Sequence, residues 1–209
     1  MADRLTCYNE ALALLGERKL ASLAENREPR RVLDDCWDGV TAWCLKRGYW
    51  KHAKRTMRIE ASASLSPAFG PRRAFQKPAD LVRVYIISDN ERLTPGFAYV
   101  DENGVWYADV DVIYVTYISN DGAFGMDLSL WGEMFTQYVV TRLALKAYGR
   151  IPSSRVTREL LERDEKRAMN VALGVDAMEG PPVAAPRNSW VNARGGGGNR
   201  ARWEGSWSV

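Results

Sequence analysis

Histidine is almost absent from this 209-residue chain: His52 is the only one. One imidazole cannot supply both a nucleophile's base and a metal-ligand set, and a lone histidine near Lys51 and Lys54 reads first as structural. Cysteine is scarce too. Cys7, Cys36 and Cys44 form no C-x-x-C pair, and each lies in a stretch of helical apolar spacing, where a thiol behaves as a small hydrophobe. Reduced thiols in an intracellular setting are expected. No window approaches about 18 consecutive apolar residues, and the start, MADRLTCYNEALALLGERK, lacks a basic stretch followed by an apolar run and a cleavage site. Neither a signal peptide nor a membrane span is expected. Charge of one sign is not in large excess: 29 Lys+Arg stand against 26 Asp+Glu, a net charge of +3, so nucleic acid is not argued as the main ligand on electrostatic grounds. Internal repeats are missing, which sets aside solenoids and propellers.

Two features imitate active-site signatures. The GGGG at 195–198 is not followed by Lys-Ser or Lys-Thr and lacks the strand and helix that a phosphate loop requires, so it reads as a hinge. Asp34 with Asp35, and Asp109 with Asp111, could supply the two carboxylates of a glycosidase. One pair falls on a helix surface and the other beside a strand start. No enzymatic activity, catalytic residue, metal site or cofactor is expected.

What is present is a change of period along the chain. Asp3 can cap a helix over 3–16, with Leu5, Tyr8, Leu12 and Leu15 on one stripe and Gly16 as its stop. Pro29 opens a second helix over 29–47 that carries Leu33, Cys36, Trp37, Val40, Trp43 and Cys44 and ends at Gly48. The two stripes are expected to pack together. From Trp50 the repeat becomes two residues, with Met57, Ile59 and Ala61 alternating against Thr56, Arg58 and Glu60. The runs LVRVYIIS, FAYV, VWYA and VDVIYVTYIS are β-branched and aromatic, and DENG at 101–104 reads as a hairpin turn. Residues 50–120 therefore predict a small, mainly antiparallel sheet. Helical spacing returns over 128–149, capped by Asp127 or Ser129, and again over 153–173, where a serine pair caps and Val156, Leu160, Ala168 and Val171 make a thin stripe ending at Gly174. The fold class is α+β: a four-helix layer with a sheet inserted between the second and third helices, forming one domain over 1–180.

Residues 181–209 show no period and read as an extended C-terminal arm. Trp190, Trp203 and Trp207 favour burial, while the polyglycine between them disfavours a core. Arg187, Arg194, Arg200 and Arg202 face only Glu204, so this segment holds the net positive charge. Anchors on an arm that cannot fold alone point to docking on another surface through Trp190, Arg194, Arg200, Arg202, Trp203 and Trp207. A second candidate site is the basic stretch Lys46, Arg47, Lys51, Lys54, Arg55 and Arg58, interleaved with Tyr49 and Trp50, which could touch phosphate and stack on bases. Read blandly, these are helix-end and strand cations.

Three segments, NEALALLGERKLASLAE, WKHAKR and FQKPADLVRV, come in this order. Together they resemble the head-to-tail adaptor proteins of tailed phages, the tail tubular protein A group and the head-completion proteins of short-tailed phages. The likeness spans roughly residues 5–175. It implies a structural virion protein without catalysis, in a homo-oligomeric ring of twelve copies under the portal protein. Such a ring joins a tail or nozzle protein below, and genomic DNA passes through its channel. The implied location is the head-tail interface of the virion, with assembly in the host cytoplasm and no membrane partner. The family places its C-terminal segment against the portal, which would make residues 181–209 a portal-docking arm, although that segment matches none of its motifs. The basic stretch would line the channel. The alternative is a small, non-specific nucleic-acid-binding protein, with a wall-degrading hydrolase as a distant third. A monomer is expected in free solution.

Overall fold

The computed structural model describes residues 3–65, 70–94, 97–151 and 156–180. The described residues up to Ala177 form one compact unit, a second begins at Met178, and the arm predicted over 181–209 lies outside the described residues. Helix α1 (Arg4–Leu15) begins at Asp3, whose Oδ1 accepts the Thr6 amide at 2.7 Å, and ends at Gly16, whose φ of 76° is left-handed. Helix α2 (Glu28–Lys46) has Pro29 in its first turn. Both match their predicted spans to within a residue or two. The two predicted stripes do touch, through Tyr8 and Trp37, but α3 (Glu133–Ala147) packs along both helices and makes the larger contact with each. Its near-continuous apolar surface, with Phe135, Tyr138, Val139, Val140, Leu143, Ala144 and Ala147 all buried, suits a helix covered on two sides.

Between α2 and α3 run six strands: β1 (Lys54–Glu60), β2 (Arg73–Gln76), β3 (Leu81–Ser88), β4 (Val100–Glu102), β5 (Val105–Ala108) and β6 (Val112–Ser119). The alternation predicted for β1 is observed. The strands form two antiparallel sheets of three strands, ordered β1-β6-β3 and β2-β5-β4, where the sequence predicts one. The reason is visible in β6. Its residues alternate between two cores: Ile118 faces the helical one, while Ile113, Val115 and Tyr117 face a second core completed by Phe75 of β2 and Trp106 of β5. Apolar side chains on both faces need a cover on each, and the short strands supply the second.

The remaining helix boundaries depart from the sequence reading. Asp127 does cap a turn, accepting the Ser129 amide at 2.9 Å, but the turn is a 3-10 turn at Leu128–Leu130. Trp131 is then extended, with ψ 124°, and its ring donates to the Gly125 carbonyl at 2.9 Å, so α3 starts only at Glu133. Helix α4 (Arg158–Met178) runs past Gly174 because a single exposed glycine costs only about 1 kcal/mol. The serine pair predicted to cap it lies outside the described residues. The buried stripe of α4 is Leu161, Glu165 and Ala172, leaving Leu160 and Val171 exposed. Glu165 disguises that stripe: it is a carboxylate on the inner face, compensated by Arg142 of α3 at 3.9 Å.

Candidate functional site

The predicted basic stretch straddles the joint between the helices and the sheets, and the structure divides its members. Trp50 is buried. Its indole donates to the Cys44 carbonyl at 3.0 Å, a second bond to an oxygen that also accepts the Arg47 amide at 3.1 Å, and its ring meets Phe135 at 4.8 Å. It therefore cannot stack on a base, which corrects that part of the sequence reading. Lys51 follows in a 3-10 turn (Lys51–Ala53); its amide donates to Asp176 Oδ1 at 2.9 Å and its ammonium to the Asp176 carbonyl, fastening α4 to this joint. Arg55 points to the opposite side, bonded to Asp80 at 2.9 Å with its guanidinium over Phe124. Arg58 pairs with Glu60 at 3.1 Å on the exposed face of β1.

Lys46, Arg47 and Lys54 remain on a surface that two distant segments complete. Lys54 lies over the Tyr85 ring at 4.1 Å, Tyr85 meets Tyr49 edge-on at 5.1 Å, and Arg83 covers Tyr49 at 4.2 Å while donating to the Lys46 carbonyl at 3.2 Å. Beyond Lys46, Arg47 and Arg142 both stack on Trp43, at 4.8 and 3.7 Å. The result is a strip of alternating cations and aromatic rings in which Tyr49 and Tyr85 are exposed. At its centre lies a cleft of about 630 Å³ lined by Trp43, Lys46, Arg47, Arg83, Met169 and Leu173. Gly48 fixes the wall of this cleft. A Cβ there would stand 2.7 Å from Trp50 Cε2 and 2.9 Å from Leu173 Cδ2, so the seat of the buried Trp50 ring favours glycine.

Arg83, Tyr85 and Arg142 carried no local signal in the sequence, since they reach the strip only through the β3 register and the seat of α3. The Asp80 cluster was missed for the same reason. Its carboxylate accepts from Arg55, from Tyr117 Oη at 3.0 Å and from Ser119 Oγ, linking β1, the start of β3 and β6. Desolvation pushes this carboxyl upward, but the hydrogen bonds from Ser119, Arg55 and Tyr117 outweigh it and hold it below its ordinary value. Burial, reinforced by Asp80, pushes the Tyr117 phenol up to about 12.

The other chemically suggestive residues are occupied. Asp34 accepts from Tyr8 Oη at 2.7 Å and from Arg4 and Arg30, and Asp35 pairs with Arg150 at 3.1 Å. Asp109 accepts the Arg72 amide at 2.9 Å, and Asp111 pairs with Arg73 at 2.7 Å. His52 packs on Phe135 at 4.6 Å; burial pushes its pKa down to about 4 against the opposing pull of Asp176. Burial also pushes the Cys7 thiol up to about 12 and the Cys44 thiol higher still, so neither is poised as a nucleophile. Among the described residues no His/Cys/Asp/Glu group could hold a metal ion, and no helix is long and apolar enough to cross a membrane. Trp190, Arg194, Arg200, Arg202, Trp203 and Trp207 of the predicted arm lie outside the described residues. No protein-family model and no curated protein matches the chain.

Proposed function

We propose that this chain is a non-catalytic structural protein of a tailed-phage virion, an adaptor that forms a ring between portal and tail and continues the DNA channel. The observation that carries this reading is how the three resemblance segments are used. NEALALLGERKLASLAE builds most of α1 and the loop after it, while WKHAKR and FQKPADLVRV form the joint between helices and sheets. Arg55 of the second segment bonds Asp80 of the third at 2.9 Å, and Trp50 and Phe75 enter the helical and sheet cores respectively. Contact between two of the resembling segments, through Arg55 and Asp80, supports the reading more than composition does. The element order, two helices, inserted strands, two helices, agrees with that architecture.

Within this reading the exposed face of β1 meets DNA. Lys54 and Arg58 are the members of the basic stretch placed there, with Tyr85 beside Lys54. Contacts of this kind are non-specific and salt-sensitive, as a sliding duplex requires. Residues 181–209 serve as the arm that docks on the portal. Electron microscopy of the protein mixed with its portal tests the proposal: a ring with a central channel is expected, and a mixture that stays unassembled under packaging conditions rejects it. The exposed Tyr49 and Tyr85 among cations favour one second reading, a non-specific nucleic-acid-binding protein. Tight single-strand binding by the isolated chain at physiological salt would favour that reading.

A further inference from the structure

We propose that the cleft between α2, β3 and α4 receives the β4–β5 hairpin of a second copy of this chain, making the head-to-tail contact that propagates the ring. The inference rests on the ring reading and assigns its interface. Lys46, Arg47 and Arg83 line the cleft, and among the described residues no carboxylate lies within ion-pair distance of any of them. Its remaining walls, Trp43, Met169 and Leu173, are apolar. A phosphate backbone needs cations but gains nothing from such a floor, whereas an acidic segment bearing an apolar side chain uses both.

Among the described residues, the exposed segment that combines this chemistry with an unpaired sheet edge is the β4–β5 hairpin. The hairpin over 99–105 contains Asp101 and Glu102 and no basic residue. Asp101 is already held by Lys77 at 2.5 Å and by the Trp106 indole at 3.2 Å, but Glu102 has no partner among the described residues. Tyr99 and Val100 beside it are exposed apolar side chains, and β4 is the edge strand of its sheet, with all three residues exposed. An uncovered edge carrying apolar side chains is a surface prepared for another chain. Cleft and hairpin are different patches, so the contact is heterologous, the kind that closes into a ring or continues as a filament.

Charge reversal tests this contact by sedimentation velocity over a concentration series reaching millimolar. The wild-type chain, expected to be monomeric at micromolar concentration, is expected to self-associate weakly as the concentration approaches millimolar. Arg83→Glu and Glu102→Lys, each alone, are expected to weaken association about tenfold or more, because like charges then meet at every contact. An equimolar mixture of the two variants is expected to recover it, since each reversed cleft finds a reversed hairpin and each native cleft a native one. Lys46→Glu, at an exposed position, serves as a second cleft variant should Arg83→Glu lower folding stability. Wild-type protein that stays monomeric throughout overturns the proposal, as does recovery failing in the mixture. Association that ignores all three variants overturns this contact while leaving the ring to be judged by the portal images. Loss of duplex DNA binding in Arg83→Glu with self-association unmoved identifies the cleft as a nucleic-acid groove, and again overturns it.

Discussion

Asp80 shows at the residue scale why a sequence motif and its chemistry can be separated. Its proline-flanked setting looks like a turn, yet its carboxylate gathers Arg55, Tyr117 and Ser119 from two other strands. Asp80→Asn keeps the shape and removes the charge that these donors share. A loss of about 2 kcal/mol is expected, as for hydrogen bonds to a charged group, measured as a lower urea midpoint at unchanged slope. The native carboxyl sits below its ordinary value, so its contribution is complete above that value and is lost as pH falls through the lowered one. His52 acts earlier in an acid titration. Neutral in the folded chain until about pH 4, it gains its proton near 6.5 when unfolded, so stability declines as pH drops between those values. The decline is up to about 3 kcal/mol, and His52→Gln is expected to flatten that part of the stability-pH curve while leaving the steeper loss at lower pH.

At the scale of elements, two glycines separate two kinds of constraint. Asn103 and Gly104 close the β4–β5 hairpin with φ of 46° and 81°, as the DENG signal predicts, and a Cβ on Gly104 would meet nothing within 4 Å. Gly104→Ala therefore meets only backbone strain, about 1–2 kcal/mol. Gly48 has no such φ, but its Cβ would strike the buried Trp50 ring, so Gly48→Ala should cost as much or more, about 1–3 kcal/mol, through overpacking. Chemical denaturation of both variants checks the pair, and tryptophan emission should change in the native state only for Gly48→Ala. The contrast also marks what was legible in the sequence. Local signals such as Asp3, Gly16, Pro29, DENG and the alternation in β1 placed their elements well. The signals that failed turned on side-chain placement: the Trp131 ring bonded to Gly125 six residues back delays α3, while two non-local answers are the buried Glu165 facing Arg142, which hides the stripe of α4, and Phe75 with Trp106, which splits the strands into two sheets. The basic stretch was visible as composition, but whether a cation was free depended on Asp80 and Asp176, which lie far along the chain.

Taken as a whole molecule, the chain has two cores joined through β6, whose Ile118 enters one and whose Tyr117 enters the other. Every buried side chain among the described residues lies at or before Ala172. A chain ending after Gly180 is therefore expected to keep its folding stability within the scatter of exposed substitutions, about 0.5 kcal/mol, while losing assembly with the portal; calorimetry and the portal images read the two effects. Replacing Lys54 and Arg58 by alanine is expected to shallow the salt dependence of duplex binding without changing ring formation. If rings fail instead, these cations belong to an interface and the channel face lies elsewhere.

The position of β6 also sets a timetable for synthesis. Among the described residues β1 and β3 each bond only to β6, which is the middle strand of its sheet but the last of the three to be made. Until Ser119 has left the ribosome neither earlier strand has a neighbour, and α3, on which α1 and α2 both rest, emerges later still. The nascent first half is thus a set of helices and strands awaiting partners, with only the short β2-β5-β4 sheet able to form ahead of β6. The sheet core can close once β6 is made, whereas the helical core must wait for α3 and α4, a sequence of long-range closures that is expected to be slow.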